Sequence, residues 1–151
     1  MIRFLIFLVL NFGALAIGGL ATSSGVSSDW YYNLNQAPWT PPGWVFGAAW
    51  TTIMVCYSIY MWQLLKTVDN KKEVVLLFIL QWVLNVIWNP LCFSLHYVST
   101  SLISIMSLTV VVAIFLFRYR PILKSKTLLI LPYFIWLIIA TSLNLYICLF
   151  N

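Results

Sequence analysis

The chain has 151 residues, of which 63% are hydrophobic and only 7% charged. A water-soluble domain carries roughly 25% charged residues, so this chain cannot clothe a soluble surface, and a membrane domain is the expectation. Its formal net charge of +5 reads as a topology signal once the charges are placed, and nucleic-acid binding is excluded on that ground.

A spanning helix needs about 20 largely apolar residues. Five stretches qualify: Ile2–Ala21, Pro42–Leu65, Val74–Leu95, Thr100–Phe117 and Leu123–Leu149. The predicted fold class is all-α, a single integral membrane domain over residues 1–151, with five transmembrane helices and a long first loop at 22–41. In the first span, Arg3 precedes an apolar run longer than the ~7–15 residues of a signal-peptide core, so retention is expected. Ala14 and Gly18 are spaced for close helix packing, as are Gly43 and Gly47 in the second span. Packing within the bundle is the expected use of both pairs, ahead of a dimer seam.

The first loop opens on Thr22-Ser23-Ser24-Gly25, turns aromatic at Trp30-Tyr31-Tyr32, and ends at Pro38-Trp39-Thr40-Pro41-Pro42-Gly43-Trp44. Proline fits the first turn of a helix but not its interior, so Pro41-Pro42 should start the second span. The loop's aromatics have two readings: residues of the interfacial belt, or a lid over the mouth of the bundle.

Along the second span, Trp50, Met54, Tyr57 and Met61 form one stripe at helical spacing. In the third, Gln81, Asn85, Trp88, Asn89 and Cys92 fall on a face roughly 100° wide. Amides inside hydrocarbon are costly unless paired, so this face looks at protein, water or a ligand. Pro90 is expected to kink or interrupt the helix at Asn89. The fifth span gathers Pro132, Tyr133, Trp136, Ala140, Leu143 and Asn144 on one side. Such faces serve either as packed core and interhelical glue or as the wall of a pocket for a flat, hydrophobic, aromatic ligand.

All eight basic residues fall at the ends of these spans or between them. Arg3 stands at the start of the first; Lys66, Lys71 and Lys72 lie between the second and third; Arg118 and Arg120 lie between the fourth and fifth, with Lys124 and Lys126 at the start of the fifth. By the positive-inside rule the N-terminus is cytoplasmic and the C-terminus outside. With no Asp, Glu, Lys or Arg in the interior of a span, proton-coupled transport lacks its usual relay. The one histidine, His96, reads as an interfacial residue. Cys56, Cys92 and Cys148 have no metal-ligand spacing and read as packing residues; no metal site is expected.

The motifs resemble those of the translocator protein family (TspO/MBR), also called the peripheral-type benzodiazepine receptor family. The resemblance rests on Trp30-Tyr31 with Pro38-Trp39-x-Pro41-Pro42-x-Trp44-Val45-x-Gly47-x-x-Trp50. It extends to Gln81-x-x-Leu84-Asn85-x-x-Trp88-x-Pro90-x-x-Phe93 and to Leu131-Pro132-Tyr133-x-x-Trp136-x-x-x-Ala140-Thr141-x-Leu143-Asn144. It implies a five-helix bundle, commonly a homodimer, that binds porphyrins such as protoporphyrin IX and isoquinoline or benzodiazepine ligands in a pocket beneath the first loop.

On matching positions the resemblance implies Trp39, Trp50, Asn85, Trp88, Trp136, Ala140 and Leu143 as ligand-binding, with Trp30 in or under the lid. Met54, Tyr57, Gln81 and Asn89 join them from the helical faces. No cofactor is required; the porphyrin is the ligand. Two other functions are implied or open: light- and oxygen-dependent porphyrin breakdown with Trp50 and Trp136 as candidate catalytic residues, or a stress-regulatory sensor acting through a protein partner. A vertebrate cholesterol motif is not matched, because Leu145 stands where its tyrosine would lie and no Lys or Arg follows Lys126. A short N-terminus lacking an Arg/Ser-rich transit segment points to a bacterial plasma membrane.

Overall fold

The computed structural model describes residues 2–151, and five of its helical stretches are long and apolar enough to cross a membrane. They belong to α1 (Ile2–Val26), α3 (Gly43–Thr67), α4 (Lys71–Phe93), α5 (Val98–Arg118) and α7 (Leu131–Phe150). Two short helices, α2 (Asp29–Tyr32) and α6 (Arg120–Leu123), sit in connectors, and a 3₁₀ segment, Lys124–Ile130, leads into α7. No strand occurs among the described residues.

The helices alternate in direction and close into a ring in the order α1, α4, α5, α7, α3 and back to α1. All the basic residues thereby collect at one end, the basic face; the first loop crosses the other. Burial explains the ring. In α1 the inward residues are Phe7, Asn11, Ala14, Gly18 and Gly25, whereas Ile2, Leu5, Val9, Ile17 and Leu20 are exposed. A helix surrounded by lipid gains nothing by hiding leucine, so small and polar side chains take the helix contacts. A Cβ on Gly18 would strike the Asn89 amide, and one on Gly25 would fall on Phe93. The Ala14/Gly18 face therefore sets how closely α1 approaches α4. Gly43 and Gly47 differ: open space surrounds both, which corrects the expectation that they pack within the bundle.

Several boundaries also differ from those expected. The first helix continues through Thr22–Val26 because hydroxyls bond back to carbonyls one turn earlier, as Thr22 does to Gly18 at 3.0 Å and Ser27 to Ser23 at 2.9 Å. Pro42 is the N-cap of α3, not its first residue. Asn70 caps α4 by accepting from the Glu73 amide at 3.2 Å, while its own amide donates to the Glu73 carboxylate at 3.2 Å, a reciprocal start signal. Lys66, Lys71, Lys72, Glu73 and Arg118 thus lie in terminal helical turns rather than in loops. Pro90 does not interrupt α4, which runs on to Phe93. The fifth expected span is α6, 3₁₀ and α7 in series rather than one helix.

The half of the ring near the basic face is densely filled. Tyr57, Tyr60, Met61, Leu64, Val74, Ile105, Leu108, Val112, Phe115, Ile130, Tyr133 and Leu137 are all fully buried. Tyr60 donates its hydroxyl to the Phe115 carbonyl at 2.7 Å, tying α3 to α5. The half under the first loop is looser. Between Gly43 and Thr52, α3 has no buried residue, and Trp44 is 76% exposed.

Candidate ligand site beneath the first loop

The first loop is pinned across the mouth at both sides. Ser28 caps α2 by accepting from the Tyr31 amide at 3.3 Å. That turn presents Trp30 to His96, ring centroids 4.0 Å apart and nearly parallel, and Tyr31 to Phe93. His96 adopts a φ of 57°, a left-handed conformation uncommon for a side-chain-bearing residue, where α4 turns toward α5. On the far side, Trp39 donates its indole N–H to Ser142 at 3.1 Å and meets Tyr146 edge-on. The Asn151 carboxamide accepts from the Asn35 amide at 2.8 Å and donates to the Asn35 carbonyl at 3.3 Å.

Under this cover lies a cavity of about 50 Å³. Its roof is Tyr31, Gln36 and Thr40; its walls include Phe46 of α3, Trp88 and Cys92 of α4, and Ala140 and Leu143 of α7. Trp136 packs edge-on against Phe46 at 5.3 Å, so a third aromatic stands directly behind that wall. Asn144 organises the α4–α5–α7 side, accepting from the Trp88 indole at 3.3 Å and from the Ser101 hydroxyl at 3.0 Å. Burial raises the Tyr31 phenol above its ordinary value, with Cys92 adding to the shift, so Tyr31 is a neutral donor at the rim.

The expected site residues divide by position. Trp88, Ala140 and Leu143 line the cavity. Asn85 and Trp136 are buried but outside the lining, Asn85 one turn before Trp88 on α4 and Trp136 against Phe46; the Asn85 side-chain amide oxygen and the Trp136 indole N–H have no hydrogen-bond partner among the described residues. Such groups cost about 1–3 kcal/mol each when left bare. Met54, Tyr57 and Gln81 lie deeper, in the filled half; Gln81 donates to the Tyr133 hydroxyl at 2.6 Å. Trp50 is half-buried and stacks edge-on to Tyr133 at 6.0 Å, away from the lining.

Three residues stand outside the cavity. Asn89 turns to α1, accepting from Thr22 at 2.8 Å, because Gly18 leaves room for it there. Trp39 is 54% exposed on the outer rim. Trp30 lines a separate outer recess with His96 and Asn151. Conversely, Tyr31, Gln36, Thr40, Phe46, Cys92 and Asn144 line the cavity without having been singled out as ligand residues. Phe46 was within reach of the helical argument, lying one turn before Trp50. Gln36 and Thr40 belong to an aperiodic loop and carry no such signal.

Chemically, the hollow offers aromatic walls, a thiol and amides, with no charged side chain and, among the described residues, no group of metal ligands. It suits a flat, largely apolar guest and offers nothing for acid–base hydrolysis.

The sequence pattern of the TspO/MBR family matches residues 5–150. A tryptophan-rich sensory protein of Cereibacter sphaeroides is 29% identical over 131 residues, covering 85% of this chain and 82% of the relative. The tryptophan-rich protein TspO of Chlorobaculum tepidum is 30% identical, with coverage of 86% and 85%. The translocator protein of Homo sapiens is 29% identical, with coverage of 80% and 73%.

Proposed function

Because the chain belongs to the TspO/MBR family and is an integral membrane protein, we propose that it is a receptor or translocator for porphyrins, including protoporphyrin IX and haem-like tetrapyrroles, and for isoquinoline- or benzodiazepine-type compounds. The observation that carries this reading is the roofed aromatic hollow, with two unpartnered polar atoms behind its walls, the Asn85 side-chain amide oxygen and the Trp136 indole N–H. A ligand that satisfied them would recover the desolvation already spent on them, and the indole and phenyl faces would stack on a planar macrocycle.

Ligand pockets occupy ≈ 300–1,000 Å³, far more than the 50 Å³ present. On this reading the structure is a closed form that binding opens. The loosely held amino-terminal half of α3 and the roof residues are the parts free to give way. Porphyrin carboxylates would stay at the mouth, meeting water, amides and the Tyr31 phenol, since no Lys or Arg lies on that face.

Titration with protoporphyrin IX, haem and an isoquinoline ligand tests the proposal through quenching of tryptophan fluorescence. Trp136→Ala and Asn85→Leu should each weaken binding about tenfold, the scale of one lost buried contact; unchanged affinity in both would move the ligand elsewhere.

A second reading, light- and oxygen-dependent porphyrin breakdown, draws support from the run of oxidisable rings behind the site. Trp50 lies 6.0 Å from Tyr133, which lies 5.3 Å from Tyr57. If a Trp50→Phe/Trp136→Phe protein bleaches bound porphyrin in light as fast as the parent, this reading fails.

The same proposal sets the basic face in the cytoplasm of a bacterial cell, with the protein in the plasma membrane as a homodimer. Gly43 and Gly47, open to the outside, give a second copy's helix a close approach. Cross-linking in native membranes tests the dimer.

A further inference from the structure

On the basic face, the connector between α5 and α7 forms a groove of about 730 Å³ on the flank of the bundle. One wall is apolar: Phe117 and Leu128 are 62% and 65% exposed, and Leu116 and Leu131 lie behind them. The other wall is polar, made by Arg120, Lys124, Ser125 and Thr127. The cations of this connector fall into two sets. Arg118 pairs with Glu73 at 2.7 Å, and Lys126 donates to Gln63 at 3.0 Å. Among the described residues, Arg120 and Lys124 have no side-chain partner, and these are the two that border the groove.

Thr127 supplies an independent sign of an occupant. It is 5% exposed, lines the groove, and its hydroxyl has no hydrogen-bond partner among the described residues. A threonine in or near a helical turn ordinarily returns its hydroxyl to a carbonyl one turn back, as Thr22, Thr51, Thr52 and Thr67 do in this chain. Thr127 does not. Lys124, with φ 51°, stands in the left-handed region where the chain turns from α6 into the 3₁₀ segment.

We propose that this groove binds an anionic phospholipid of the leaflet at the basic face. The phosphate is held between the Arg120 guanidinium and the Lys124 ammonium, with the Ser125 and Thr127 hydroxyls as donors, and an acyl chain lies along Phe117, Leu128 and Leu131. Two free cations beside an apolar wall at the headgroup level fit an amphiphile with a negative head, and basic pockets between spans are the usual seat of such lipids. A free phosphate would use the cations and hydroxyls but leave the apolar wall bare.

The test measures lipid retained by the purified protein by native mass spectrometry, after extraction from nanodiscs of phosphatidylcholine with or without phosphatidylglycerol. Phosphatidylglycerol should be kept in preference to phosphatidylcholine. Arg120→Gln/Lys124→Gln should lower its apparent affinity by about tenfold or more, and the isosteric Thr127→Val should lower it by a smaller factor. Lys71→Gln/Lys72→Gln removes the same charge from the same face and should leave affinity within about threefold. Equal loss in both double variants would overturn the proposal in favour of general surface charge, as would equal retention of the two lipids. Displacement of phosphatidylglycerol by inorganic phosphate alone would overturn the lipid assignment. Circular dichroism of each variant guards against reading a misfolded protein as a lost site.

Discussion

The two halves of α3 are built from similar residues and do opposite work. From Ile53 to Leu65 the helix contributes Tyr57, Tyr60, Met61 and Leu64, all fully buried against α5, α7 and the 3₁₀ segment. From Gly43 to Thr52 it contributes no buried residue, and Phe46 and Trp50 are only half covered. The Ile53–Leu65 half cannot move without opening a void in a close-packed interior, which is costly. The Gly43–Thr52 half has little to lose. Stability sits at the basic end of the bundle and adaptability at the end beneath the loop.

The largest effect expected from breaking this division is in the filled half. Tyr60→Ala removes a fully buried ring and its bond to the Phe115 carbonyl, and should cost about 3–5 kcal/mol in a reversible unfolding measurement in detergent. Trp44→Ala, on the exposed half, should leave the unfolding midpoint almost unchanged. Comparable losses for both would erase the contrast.

A smaller loss, about 1–3 kcal/mol from overpacking, is expected for Gly25→Leu, whose side chain must displace Phe93. Gly47→Leu, with open space around it, should cost little more than zero by the same assay. Between the two lies a direct check that α1 closes on α4 while the start of α3 stands free.

Asn85→Leu should separate the two properties altogether. Trading an unpartnered buried side-chain amide oxygen for hydrocarbon should hold or slightly raise the thermal midpoint, while porphyrin affinity falls. A variant that loses both would make Asn85 a structural residue.

The smallest change is expected at the loop. Asn151→Ala removes the two bonds to Asn35, both exposed, so that water replaces the lost partner at almost no net cost. It should speed porphyrin association in stopped-flow quenching without moving the unfolding midpoint. Unaltered rates would mean that the roof does not gate entry.

Much of this architecture is legible in the sequence, for a physical reason. Only continuous helices satisfy their backbone in hydrocarbon, so five long apolar runs with charge confined between them specify five spans and their alternation. The inward faces of α4 and α7 were also legible, because an amide or indole in lipid must point at something. Period alone, however, says that Asn85 and Asn89 share a face, not which neighbour each meets. The missing side chain of Gly18 draws Asn89 to α1, and that is a property of two helices together. Trp39 was beyond reach for a related reason: in an aperiodic loop no spacing tells an indole that roofs a cavity from one that rests on the rim. The extension of α1 through a Thr/Ser run was hidden because those residues favour loops until their hydroxyls find carbonyls one turn back.

The poorly covered start of α3 also bears on how any affinity here should be expressed. If the proposed ligand enters through a seam facing acyl tails, the concentration that matters is its mole fraction in lipid, set by partitioning. Dissociation constants quoted per litre of buffer will then drift with the amount of lipid in the assay. Rescaled to the membrane phase, they should fall onto one curve.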